Sequence, residues 1–444
     1  MNRRDFLHAG ALALAGRAVA GRMGAMPQPA RPRPTPAQLA WQRDELALFL
    51  HFGVNTFTDR ERGDGHEDPS IFAPSRLDAR QWARAARAGG FRAMILTAKH
   101  HDGFCLWPTR TTRHSVASSP WRAGEGDLVR EFVDACRAEG LRPGVYLSPW
   151  DRNNPAYGDS PRYNDLYCDQ LTELLTGYGP LAEVWFDGAN GEGPNGKKQV
   201  YDWPRVWGLV RRLQPEAVMF SDAGPDVRWC GNETGSAGDP NWSTIDPAAV
   251  PYPGASGPGI ISALQHGHAT GTVWRPPEVD TSIRPGWFHH PAEDGRGRSV
   301  ETLVNIYLTS VGRNSKLLLN TPPTRDGLLH DTDVARLAAF HDRRRALFGE
   351  DLFPRLENGH PATIGFVRLE EDIANGQAVA RYVVEGADEG EWRVLSRGGT
   401  IGYARIDRIA RADQRPVRRV RVRIEDAVVP PGRITIKLFA PVAE

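Results

Sequence analysis

The chain has 444 residues and a formal net charge of +1. That length suits one large domain plus a smaller one. The near-cancelled charge offers no field for nucleic acid or an anionic membrane, so neither is expected as a partner. The first residues read as a targeting segment rather than as fold. Asn2-Arg3-Arg4-Asp5-Phe6-Leu7 precedes an alanine-rich apolar run over residues 9–20. Together they resemble a twin-arginine export signal, with Ala18-Val19-Ala20 as a cleavage site. The run is too short to remain as a membrane span. A bacterial protein, exported to the periplasm or secreted, is implied; the alternative is a disordered or weakly helical tail. Residues 27–36 follow as a stiff, proline-rich spacer, which makes residues 1–36 a signal and spacer.

From residue 46 onward, apolar strands alternate with amphipathic helices. Strand patterns cover residues 46–54, 91–98, 143–148, 183–186, 217–221 and 316–319. Helix patterns cover 76–89, 127–139, 164–178, 203–213 and 300–310. Leu128, Phe132 and Cys136 stand at four-residue steps on one helix face, which makes Cys136 a core residue. Cys105, Cys168 and Cys230 lie far from it and from one another; no metal spacing appears, and no disulfide pairing follows from the sequence. Repeated strand–helix units mean a parallel sheet, closed as a barrel or open and doubly wound. Polar clusters follow strand after strand: His51, His100-His101-Asp102, Pro149-Trp150-Asp151, Asp187 and Asp222. That pattern fits the single rim of a barrel better than one crevice, and no glycine-rich phosphate loop follows the first strand. The fold expected is a (β/α)8-like TIM barrel over residues 37–350. Residues 223–296, rich in Pro and Gly, leave its later units unplaced. Residues 351–444 alternate in short runs and read as an antiparallel β-sandwich. Within it Arg419, Arg421 and Arg423 alternate with Val420, Val422 and Ile424, as on a half-buried strand with a solvated arginine side.

Glu183-Val184-Trp185-Phe186-Asp187-Gly188 is the most informative stretch. An apolar strand ends in a carboxylate and breaks at glycine, and a polar, glycine-rich loop follows. A charge placed there needs a partner or a ligand, and at the carboxyl end of a barrel strand its use is catalytic. A second carboxylate, Glu233, lies in Arg228-Trp229-Cys230-Gly231-Asn232-Glu233, after the next strand. Two carboxylates in unlike electrostatic settings are what glycoside hydrolysis requires. The plain alternatives are a helix-capping or loop-fixing Asp187 and a surface Glu233 paired with Arg228. His51, His100 and His101 sit at strand ends. They suit hydrogen bonds to sugar hydroxyls or a metal site, although adjacent histidines on a strand face opposite ways and cannot both ligate without a bend. Trp150 and Trp287 lie in polar loops, which suits either stacking on a sugar face or packing, whereas Trp185 reads as packing.

Four motifs carry a family resemblance: His51-Phe52-Gly53-Val54-Asn55-Thr56-Phe57, Leu96-Thr97-Ala98-Lys99-His100-His101-Asp102-Gly103-Phe104, Tyr146-Leu147-Ser148-Pro149-Trp150-Asp151 and Trp185-Phe186-Asp187-Gly188-Ala189-Asn190-Gly191. Over about residues 40–345 the chain resembles the α-L-fucosidases of glycoside hydrolase family 29. The Trp-Phe-Asp-Gly-Ala-Asn-Gly form and Gly231-Asn232-Glu233 look most like the branch selective for α-1,3/1,4-linked fucose in branched glycans. The resemblance implies a barrel with a C-terminal β-sandwich, retention of configuration, no cofactor, no metal, and an oligosaccharide substrate. It matches Asp187 to the nucleophile and Glu233 to the acid/base. It matches His51, His100, His101, Trp150, Trp287, Arg228 and Glu61 to the substrate side. One position departs: the family usually carries Glu-Trp where this chain has Glu61-Arg62, and that tryptophan lies beside the sugar in relatives. Arg62 opens a rival substrate, a related sugar such as an α-L-galactoside; a catalytically weak glycan-binding protein is the rival outside enzymes.

Overall fold

Eight strands make one sheet: β1 (Leu46–Leu50), β2 (Ala93–Lys99), β3 (Arg142–Leu147), β4 (Glu183–Trp185), β5 (Val218–Phe220), β6 (Arg228–Trp229), β7 (Pro277–Ser282) and β8 (Lys316–Asn320). The computed structural model that shows them describes residues 31–441, so the export-signal motif lies outside the described residues. The strand order is β5-β4-β3-β2-β1-β8-β7-β6, and every neighbouring pair is parallel. A single parallel bridge from Phe220 to Val227 spans the remaining gap, so the barrel is nearly closed.

Period-two alternation decides what each strand offers the interior. Leu46, Leu48, Leu50, Leu96, Val145, Leu147 and Val184 pack outward under the helices. Ala47, Phe49, Ala93, Ile95, Tyr146, Trp185, Phe220 and Leu318 pack together inside. The interior is filled in layers. At the floor, Lys316 Nζ pairs with Glu183 Oε2 at 2.9 Å, and the Trp41 indole donates to the same oxygen at 2.9 Å. Trp41 comes from helix Pro36–Arg43, which opens on a Thr35 capping box and closes the bottom. Above the floor, Trp185 stacks on Phe220 with ring centroids 4.1 Å apart. The next inward positions, His51 and Asp187, fall at the carboxyl rim.

The surrounding helices begin where aspartate or serine takes up a free backbone N–H. Asp78 caps Ala79–Ala88, Asp127 caps Leu128–Ala138, Asp202 caps Trp203–Leu213 and Ser299 caps Val300–Thr309. The first strand is shorter than its apolar run, because the chain turns at Gly53 into helix Val54–Thr58. The stretch that the sequence left unplaced contains β6, a two-stranded antiparallel ribbon (Thr244–Ile245 with Val273–Trp274), helix Pro258–His266 and β7. All four cysteines are free and buried.

Beyond helix Asp331–Phe348 come two three-stranded antiparallel sheets. One orders Arg405–Arg408, Phe366–Glu371 and Ile434–Phe439; the other orders Arg393–Gly398, Val379–Ala387 and Arg419–Ala427. Val367, Leu369 and Leu438 of the first meet Val379, Tyr382, Val384 and Leu395 of the second in one apolar core. Arg421 and Arg423 face solvent and pair with Glu385, and Arg419 and Arg421 lie over Trp392. Ion pairs fasten this layer to the barrel: Arg368 to Glu45 at 2.6 Å and Arg405 to Asp239 at 2.8 Å.

Candidate active site

The carboxyl rim encloses a cavity of about 310 Å³, lined by Phe49, His51, Glu61, Arg62, His100, His101, Tyr146, Trp185, Asp187, Glu233, Asp280 and Trp287. That volume lies at the small end for ligand pockets and suits a single small ring. Asp187 stands just past β4. Its Oδ2 accepts the Tyr146 hydroxyl at 3.1 Å and its Oδ1 accepts the Ala189 N–H at 2.6 Å. Two donors on one carboxylate fix its orientation, and the side chain remains 28% exposed to the cavity. Gly188 is needed here, because a Cβ would run into the Asp222 carboxylate and the Gly254 backbone. Asp222 Oδ2 in turn accepts the Gly254 N–H at 2.7 Å and holds that loop against the Asp187 turn.

Glu233 reaches the same cavity from the loop after β6, where its carbonyl accepts the Thr281 hydroxyl at 2.8 Å. Its carboxyl is held above the ordinary glutamate range, first by burial and then by the Asp187 charge; the Trp287 indole and Arg62 pull the other way. Asp280 is pushed much further up by its burial and by Glu233, even though the Trp229 indole donates to it at 2.7 Å. The cavity therefore holds carboxyl groups in unlike electrostatic settings.

The histidines can be given tautomers. Asn320 Nδ2 donates to Ser282 Oγ (2.9 Å) and to Trp287 O (2.8 Å), so its Oδ1 is the atom 2.9 Å from His51 Nδ1, and that nitrogen carries the proton. Ser148 Oγ gives its one proton to Trp150 O (2.8 Å) and so accepts from His101 Nδ1 at 2.7 Å. In both rings Nε2 is left as an acceptor. His101 Nε2 stands 3.8 Å from Asp187 Oδ2. Two acceptors face each other there, which a hydroxyl donor would satisfy. Burial lowers His51 and His101 to about 4. His100 falls further, by burial and by the two neighbouring imidazoles.

Between about pH 6.5 and 4 the unfolded chain binds protons that folded His51 and His101 refuse, so these rings cost the fold stability as pH falls. Asp102 and Asp222, each raised to about 7 mainly by burial, act with the opposite sign over nearly the same window. Global stability sums these opposed contributions with those of His100, Glu233 and Asp280, so the site-resolved signal is the informative one. Imidazole nitrogen NMR should show His51 and His101 neutral with a protonated Nδ1 at pH 5; cationic rings at that pH would overturn the assignment.

Most of the residues singled out in the sequence meet in this cavity, but two do not line it. Arg228 is fully buried on β6 and spends its guanidinium on the carbonyls of Leu264, Arg275 and Trp242 and on Asn241 Oδ1. It braces the segment carrying Glu233 instead of reaching a ligand, and it does not pair with Glu233. Trp150 lies one layer behind: its ring sits 5.0 Å from His101, and its indole donates to Glu192 O at 3.0 Å. Glu61 lines the cavity, but its oxygens turn to the Trp287 N–H (2.9 Å), the Phe288 N–H (3.1 Å) and His290 Nε2 (2.6 Å), so it clamps the loop that presents Trp287. His100 and His101 do share the cavity. β2 ends at Lys99, and the chain turns at residues 100–103, so opposite-face alternation no longer applies. Among the described residues, no group of three or more His, Cys, Asp or Glu is arranged to hold a metal.

Phe49, Tyr146, Trp185 and Asp280 also line the cavity, and the sequence reading assigned none of them a role at the site. Their signal was present in strand alternation: Phe49 stands two before His51, Trp185 two before Asp187, and Asp280 alternates with Glu278 and Ser282.

A family model described as alpha-L-fucosidase matches residues 40–342. Alpha-L-fucosidase 1 of Arabidopsis thaliana is 47% identical over 425 residues, covering 86% of this chain and 82% of its own. Among solved structures, a glycoside hydrolase 29 family member from an unknown rumen bacterium aligns with a TM-score of 0.85 at 39% identity, covering 94% of this chain and 79% of that one. A Ruminococcus gnavus GH29 fucosidase, solved in complex with fucose, aligns with a TM-score of 0.81 at 28% identity, covering 95% and 97%. With a matching model over most of the barrel and a carboxylate-lined pocket at its rim, the chain belongs to the α-L-fucosidase family of glycoside hydrolases and is an enzyme of that kind.

Proposed function

We propose that this enzyme is a retaining exo-α-L-fucosidase that removes α-1,3/1,4-linked fucose from branched glycans. One observation carries the mechanism: Asp187 and Glu233 open into a single cavity of one-sugar size from different rim segments. Glu233, held toward its protonated form, gives its proton to the glycosidic oxygen while Asp187 attacks the anomeric carbon. The C–O bond to the leaving sugar breaks as the bond to Asp187 forms. Glu233, now ionised, then takes a proton from water, and that water releases fucose with its configuration retained. Retaining chemistry expects the two carboxyl groups about 5–5.5 Å apart. His51 and His101 accept from sugar hydroxyls through Nε2, with His100, Trp287 and Tyr146 completing the wall; Trp150 backs His101, and Glu61 and Arg228 act by holding loops. The barrel over residues 37–350 carries the reaction and residues 351–441 form the sandwich. The leader over residues 1–36 is read as an export signal and spacer, and no helix among the described residues is long and apolar enough to cross a membrane.

The linkage reading rests on Trp185-Phe186-Asp187-Gly188-Ala189-Asn190-Gly191 and Gly231-Asn232-Glu233. Its test is a side-by-side incubation with a Lewis-type branched trisaccharide, 2′-fucosylated lactose and an aryl α-L-fucoside. The branched substrate should be cleaved well ahead of 2′-fucosylated lactose, with the α-anomer of fucose appearing first by proton NMR. Equal cleavage of the two oligosaccharides overturns the linkage preference, and first appearance of the β-anomer overturns retention. Faster turnover of an aryl α-L-galactoside would favour the other reading, which Arg62 in the cavity wall motivates.

A further inference from the structure

Arg62 is the cation in the cavity wall, and among the described residues its guanidinium makes no hydrogen bond and no ion pair. Its neighbours are all committed elsewhere. Glu61 spends its carboxylate on the 287–290 loop. Arg60 takes Asp64 at 2.9 Å. Asp187 is held by Tyr146 and Ala189, and Glu233 is biased toward its neutral form. The adjacent histidines stay uncharged and neither cancel nor share the charge. A second guanidinium, Arg152, lies over the Trp150 ring at 5.4 Å and bonds the carbonyl of Gly63, one residue beyond Arg62. Arg62 is exposed and lines the cavity, so its guanidinium stands at the solvent edge of the cavity, near enough to Glu233 for its charge to act on that carboxyl.

A free planar guanidinium at the mouth of a sugar pocket is built to meet an oxyanion through two parallel N–H bonds. We propose that Arg62 is a specificity residue that binds a carboxylate or sulfate carried by the glycan, so that the preferred substrates are anionic fucosylated glycans. This rests on the fucosidase reading of the same pocket. The charge has two possible carriers, the fucose ring and the adjoining sugar; Arg62 is the recognising group for either one. No bond is made or broken by it.

The test measures kcat/KM at low salt on two matched pairs. The first is an aryl α-L-fucoside with and without a ring sulfate. The second is a fucosylated oligosaccharide with a uronate beside the fucose, compared with its methyl ester. Binding of the same pairs to the Asp187→Ala enzyme is measured by calorimetry. At least one charged member should exceed its neutral twin by about tenfold or more in the wild type, and the pair that responds identifies which sugar carries the charge. Arg62→Gln should collapse that ratio toward one, Arg62→Lys should keep part of it, and added salt should erode it. Charged-to-neutral ratios near one, or equal in wild type and Arg62→Gln, overturn the proposal while fucoside turnover stands. A charge preference in binding that depends on Arg62, with no turnover of any fucoside, supports the assignment of Arg62 and overturns the hydrolase mechanism instead.

Discussion

Asp187→Ala is expected to lower turnover on every fucoside by at least ~10³-fold, because the group that forms the bond to the anomeric carbon is gone. The fold should survive. The side chain is partly exposed, and what its removal leaves behind is a Tyr146 hydroxyl and an Ala189 N–H without their acceptor, a loss of about 1–3 kcal/mol at most for each. The vacated space sits on the face of the sugar opposite the leaving oxygen and is large enough for a small anion. Azide entering there should attack the anomeric carbon once, with Glu233 still donating its proton to the leaving group. The product is then β-L-fucosyl azide, inverted relative to the substrate. Circular dichroism and a melting curve establish that the variant is folded, and product NMR reads the anomer. Substantial turnover by folded Asp187→Ala without azide, or an α-azide product, removes Asp187 from the nucleophile's role.

Much of the rim was legible because barrel strands obey a two-residue rule. In Glu183-Val184-Trp185-Phe186-Asp187 the inward set is Glu183, Trp185 and Asp187, and the structure places them at floor, middle and mouth. Lys316, Leu318 and Asn320 repeat the pattern on β8, where Asn320 fixes the His51 tautomer. What the sequence obscured has physical causes. β7 reads Pro277-Glu278-Val279-Asp280-Thr281-Ser282, too polar for a buried strand by composition, yet it is buried throughout because its acids face the barrel interior. β6 is two residues long and gives no period to detect. Arg228 looked like a ligand because a charged residue next to a catalytic-looking segment is usually an exposed one. Its burial is tolerated because three backbone carbonyls and an amide oxygen meet the guanidinium, partners that lie 13 or more residues away in sequence. The opposite-face rule failed for His100 and His101 since it holds only while the chain is a strand, and Gly103, with a φ of +82°, marks the turn that frees both rings.

Glu233→Ala should divide substrates by leaving group in a way that Asp187→Ala does not. General acid catalysis contributes roughly 10²- to 10⁴-fold when the departing oxygen is strongly basic, as a sugar alkoxide is, and far less when it is a nitrophenolate. The first bond-breaking step on the natural glycan should therefore collapse, while that on the aryl fucoside persists. Glu233 is also the expected base for the water of the second step. Its loss should thus strand the fucosyl-Asp187 intermediate and give the aryl substrate a burst of nitrophenol followed by a slow steady state. Azide needs no base, so it should restore the steady state and yield α-L-fucosyl azide, the opposite anomer to that from Asp187→Ala. The pH profile supplies an independent sign. A carboxyl whose burial and anionic neighbour hold it protonated is lost as an acid when pH rises through its raised pKa, so the wild-type kcat/KM should fall on the alkaline side, and Glu233→Ala should remove that limb. If aryl and natural substrates drop equally, or the alkaline limb persists, the proton comes from another group. The buried Asp280, which the Glu233 charge already pushes upward, would then be the carboxyl to replace next.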